Sequence, residues 1–119
     1  MDEKLFKLCD TLNVEIERIE KEFVGIKPVI PAYISLYDNE DDEQCTNFGI
    51  AKIAGTWSLV VNGPHNGFND TPLRDSPILI RMAINVEVLL RLKTKVIENK
   101  ESLTKQLGVY TEILSKFKV

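Results

Sequence analysis

The chain has 119 residues, of which 44% are hydrophobic and 28% charged, and it carries a net charge of −3. That balance excludes a disordered chain, which lacks the apolar content to build a core, and no apolar run approaches the roughly 18 residues of a membrane span. Cys9, Cys45 and a single histidine cannot assemble a structural zinc site, so reduced thiols, no metal and no cofactor are expected.

Charge is unevenly spread. Residues 1–73 hold 6 basic and 13 acidic residues, a net −7, and residues 74–119 hold 9 basic and 5 acidic residues, a net +4. Complementary halves are expected to pack together. The opening Met1-Asp2-Glu3-Lys4 has no apolar signal core, which predicts a cytoplasmic protein.

Residues 3–23 read as a helix. Leu5, Cys9, Leu12, Ile16, Ile19 and Phe23 recur at spacings of 4 and 3, a seam of heptad period. Gly25 is expected to take the left-handed position after the helix, with Pro28 preventing continuation. Residues 28–37 then read as an edge strand, because Pro28 and Pro31 lack backbone donors. Ile30, Ala32, Ile34 and Leu36 point to one face, Tyr33, Ser35 and Tyr37 to the other. The acidic run 38–43 lacks the glycine and glutamate of a calcium loop at their required positions and reads as a solvated turn.

Phe48 to Val61 reads as a β-hairpin around Ala54-Gly55. A two-residue loop places Ile53 opposite Thr56, Ile50 opposite Leu59 and Phe48 opposite Val61; a bulged hairpin is the alternative, because Ala-Gly is not the best two-residue turn. One face then carries Phe48, Ile50, Trp57, Leu59 and Val61, which predicts a core face with Trp57 buried. Residues 63–76 form a long loop with the only histidine, His65, beside Asp70 and Arg74; no nucleophile motif or phosphate-binding loop accompanies them.

Residues 78–84 satisfy both periods. Ile78, Ile80, Met82 and Ile84 alternate as a strand, while Leu79, Met82, Ala83 and Val86 make a helical stripe. The β-branched content favours a fourth strand over 78–84; a helix with Pro77 in its first turn is the alternative. Asn85 is then expected to cap a helix from about residue 86 to Phe117, with Glu87 in the first turn. Leu89, Leu92, Val96, Leu103, Leu107, Tyr110, Leu114 and Phe117 hold its seam. Thirty-two residues span roughly 48 Å at 1.5 Å each, so this helix either breaks near 98–102 or at Gly108, or projects beyond the body.

Phe48-Gly49, Lys52, Gly55, Trp57, Leu59 and Val61, followed by Leu73, Arg81 to Ala83 and Leu89-Leu90, form a pattern over residues 46–97. It resembles that of small uncharacterised bacterial proteins with a Phe-Gly, basic, Gly, Trp-x-Leu-x-Val hairpin and a leucine-rich helix. The resemblance implies no assigned activity.

These elements predict one α+β domain over residues 1–119: an N-terminal helix, a four-stranded antiparallel sheet and a long C-terminal helix, with the helices on one sheet face and a coiled-coil-like seam. The expected function is that of a non-catalytic interaction or accessory module, a homodimer formed through helices. Its contact candidates are Leu103, Leu107, Tyr110, Leu114 and Phe117. A first alternative is a single-stranded nucleic-acid binder using Tyr33, Tyr37, Arg81, Arg91, Lys93 and Lys95, which requires the tyrosines and Arg81 to share an exposed face. A second is a small enzyme using the 63–76 loop, which requires a pocket joining His65, Asp70 and Arg74.

Overall fold

The computed structural model describes residues 2–36 and 45–117; Tyr37 and the acidic run 38–43 lie outside them, as do the side chains of Leu5, Cys9 and His65. The chain forms α1 (Asp2–Gly25), β1 (Ala32–Ser35), β2 (Asn47–Ile53), β3 (Thr56–Asn62), β4 (Thr71–Pro72), α2 (Ile78–Met82) and α3 (Val86–Phe117). Short 3-10 turns at Pro64–Asn66 and Leu73–Asp75 flank β4. The sheet is antiparallel throughout, in the order β1-β2-β3-β4. The architecture is α+β, with both long helices on one face.

The hairpin has the register expected from a two-residue loop: Phe48 pairs with Val61, Ile50 with Leu59 and Ile53 with Thr56. Ala54 and Gly55 have φ of 51° and 84°. Positive φ at both loop positions is the type I′ pattern, whose twist matches that of the strands it joins. Phe48, Ile50, Leu59 and Val61 are completely buried. They meet Ile16 and Phe23 of α1 and Val88, Leu92 and Val96 of α3 in one core, with Leu12 and Ile19 at its margin. Trp57, expected to be buried, is only half-buried at that margin, with the Lys52 ammonium 5.4 Å from its ring centre. It lies at the turn end of the hairpin.

The fourth strand is not 78–84. Those residues form α2 and the bend after it, and Thr71–Pro72 occupies the fourth sheet position, opposite Val61 and Val60. The helical spacing wins because Ile80, Ala83 and Ile84 pack together on the core. A strand would have turned Met82 inward with Ile80 and Ile84; it is exposed. Pro77, which has no N–H to donate, precedes α2 and its carbonyl accepts from the amides of Ile80 and Arg81. Pro72 lies in an edge strand, where its missing donor breaks no ladder.

The N-terminal helix ends differently from expectation. Gly25 stays helical and the positive φ falls on Lys27, at 58°. The Ile26 and Lys27 amides donate to Phe23 and Val24, so the last turn tightens before the chain reverses. α3 begins where expected: the Asn85 side chain accepts from the Val88 amide at 3.0 Å. It then runs unbroken to Phe117, through 98–102 and Gly108, and the molecule measures 74 × 31 × 27 Å.

Ala54 is the one hairpin residue in a conformation that disfavours its side chain, at a cost of about 1–2 kcal/mol for a residue other than Gly, Asn or Asp. Ala54→Asn should therefore raise stability by about 0.5–1 kcal/mol, measured as a higher urea midpoint at unchanged slope.

Candidate interaction surface

Projected at 100° per residue, Val88, Leu92, Val96, Leu103, Leu107, Tyr110, Leu114 and Phe117 fall within an arc of about 100° on α3. The first three are buried against the sheet and α1. Leu103 is half-buried at the point where α3 leaves the body. Beyond it the same stripe is bare: Leu107, Tyr110, Leu114 and Phe117 are 64%, 60%, 46% and 79% exposed. All five interaction candidates thus lie on one line, continuous with the core. Val109 and Ile113, also exposed, widen the bare stretch on one side. A heptad reading passes over them, although their i,i+4 spacing signals a broader stripe.

The stripe itself is uncharged between Leu103 and Phe117, and Lys105 borders it beside Val109, Tyr110 and Ile113. Glu101, Lys105, Glu112 and Lys116 fall within about 60° of one another on the far side of the helix from Leu103 to Phe117, Thr104 and Thr111 flank the apolar side, and Gln106 lies within it. At the base of the projection, the Lys100 ammonium donates to the Ile26 carbonyl at 2.6 Å, tying α3 to the end of α1. Arg91 similarly donates to the Ser35 carbonyl of β1 at 3.2 Å. Together they fix the direction in which the helix leaves. Val29, on the connection after α1, joins Lys100, Leu103, Thr104 and Leu107 to line a groove of about 170 Å³ at this shoulder.

Of the described nucleic-acid candidates, Arg91 and Lys95 line one groove on α3, while Tyr33 and Arg81 lie apart from each other. Tyr33 lies on the sheet face away from the helices. Its ring crosses Gly49, where an added Cβ would stand 2.2 Å from the Ala32 carbonyl oxygen and 2.6 Å from the ring. The Tyr33 hydroxyl donates to Asp70 at 2.8 Å, and Asn62 donates to the other Asp70 oxygen at 3.0 Å. Asn47 donates to Asn62, and the Cys45 thiol to Asn47. This chain of side chains reaches from β1 to the approach of β4 and clasps the sheet. Arg81 is on α2, donating to Asn13 of α1 at 2.9 Å. Lys93 and Lys95 are exposed on α3, two residues apart and so on opposite flanks.

Asp70, one of the enzyme candidates, has both oxygens engaged in the clasp, while Arg74 is exposed in the 3-10 turn after β4. Much of the expected loop is thereby structured: Asn66 bonds the Gly63 amide, the Val61 carbonyl and the Thr71 hydroxyl. Among the described residues, no three His, Cys, Asp or Glu side chains come together to hold a metal, and no helix is long and apolar enough to cross a membrane. No protein family, curated protein or solved structure matches the chain.

Partial burial and the Asp70 carboxylate push the Tyr33 hydroxyl up to about 12. The folded state therefore favours the protonated phenol. Its contribution to stability is fully present below the unfolded tyrosine value near 10 and is lost as pH rises through about 12. Tyrosinate absorbance should show an ionisation step near pH 12, and Tyr33→Phe should abolish that step. The same substitution should flatten the stability loss between about pH 10 and pH 12.

Proposed function

We propose that this chain is a non-catalytic interaction module that self-associates through the projecting half of α3, forming a homodimer by a coiled-coil-like helical contact. The observation that carries the reading is the continuity of one apolar stripe from the core of the body onto a bare helix. Fully burying a large apolar side chain contributes about 1.5–3 kcal/mol, and six such side chains between Leu107 and Phe117 are 46–79% exposed in a single copy.

A second copy supports this reading better than a charged partner does. The bare stripe itself carries no charge between Leu103 and Phe117, and Lys105 stands only at its margin beside Val109, so two identical apolar faces can meet with their charges at the edge, and a two-fold pair is the commonest closed arrangement. The charges opposite the stripe stay in water in such a pair. A cytoplasmic setting belongs to the same proposal.

Light scattering coupled to size exclusion should give twice the monomer mass at micromolar concentration. Leu107→Glu or Leu114→Glu should return the monomer mass without altering the circular dichroism of the body, because both side chains lie outside the core. A monomer mass for the unsubstituted chain at high micromolar concentration would contradict the proposal.

A further inference from the structure

Two copies of α3 can meet along the 103–117 stripe in either direction. Resting on the self-association reading, the geometry points to an antiparallel pair in which Phe117 of each copy seats in the shoulder groove of the other. The position of the body on α3 selects this direction. Val88, Leu92 and Val96 belong to the same stripe and are already filled by the sheet and α1. In a parallel, in-register pair, the second helix would continue along that stripe into the space of β1, β2 and α1. Packed helix axes stand only about 8–10 Å apart, so the body blocks that path. An antiparallel partner overlaps only the bare stretch, and its own body lies beyond the tip of the first helix.

The overlap covers about 22 Å of helix. Its two-fold axis falls near Tyr110, which places Phe117 opposite Leu103 and Leu114 opposite Leu107. Phe117 is the most exposed large apolar side chain among the described residues, at 79%. It then meets the groove of Val29, Leu103 and Leu107, whose opening is about 170 Å³ and whose apolar wall is built partly by the body itself. Val29 is 55% exposed in one copy although it stands beside the helix. An antiparallel pair uses that residue; a parallel one does not. Opposed helix dipoles add a small favourable contribution.

Double electron–electron resonance between nitroxides at Thr94→Cys, in a Cys9→Ser, Cys45→Ser background, tests the direction. Thr94 faces away from the stripe, 16 positions from the axis, so the antiparallel pair gives about 50 Å between labels. A parallel pair gives less than about 30 Å, which would overturn the inferred docking while leaving self-association standing. Absence of dipolar modulation at high micromolar concentration would overturn both. Val29→Asp should raise the dissociation constant at least tenfold with circular dichroism unchanged; an unchanged constant would remove the body from the contact.

Discussion

The packing of α3 against the sheet is the constraint from which the rest of this structure follows. Val88, Leu92 and Val96 lie on the buried face of β1, β2 and β3 together with Ile16 and Phe23 of α1. α1 and α3 run in the same direction over that face: Phe23 stands near Lys93, and Ile26 receives the hydrogen bond of Lys100. The acidic and basic halves of the chain thereby meet within one copy. α1 and the sheet end near residue 100 of α3, whereas the helix continues to Phe117 with the same apolar side. The mismatch between the length of the helix and that of its cover creates the surface on which the functional proposal rests.

The opposite sheet face is finished by different means. Gly49 leaves room for the Tyr33 ring, and Tyr33, Asp70, Asn62 and Asn47 link β1, β2 and β3 to the residue before β4 by hydrogen bonds. β4 is only two residues long, so the outer edge of β3 needs another partner, and the Glu20 carboxylate of α1 accepts from the Leu59 amide at 3.0 Å. A short edge and a charged side chain on an unpaired amide both discourage pairing with a further strand. These arrangements finish the sheet edge, whereas uncovered apolar surface remains on the distal half of α3 and, around Leu79, Met82 and Val86, at the junction of α2 and α3.

Several parts of the fold could be read directly from the residues because only one arrangement satisfied them. Ala54-Gly55 between two alternating runs favours the two-residue register over a bulged one, since a slip of one residue in either strand would turn its core side chains outward. Asn85 before Glu87 marks the start of α3. Residues 78–84 fit two periods equally, and tertiary packing of Ile80, Ala83 and Ile84 decided between them. β4 is too short to leave a periodic signal, and the bond from Tyr33 to Asp70 joins residues 37 apart in the chain. Lys27 takes the backbone conformation that Gly25 suits by composition, because the last turn of α1 stays helical through Gly25. The five contact candidates on α3 were legible as a seam; that the four beyond Leu103 are bare depends on where the body ends, which no local pattern encodes.

A helix of this kind is stable along its covered half by tertiary packing and weakly stable along its free half, since isolated helical segments shorter than about 12–15 residues are marginal in water. If the bare stripe is a contact surface, covering it should protect the distal backbone from exchange with solvent. Hydrogen–deuterium exchange along α3 at several protein concentrations reads this directly. The account predicts that amides of residues 88–100 are protected at every concentration, while those of 104–117 exchange fast when dilute and slow markedly at micromolar concentration and above. Distal amides that exchange equally fast at all concentrations, or that are equally protected in the most dilute sample, would contradict it.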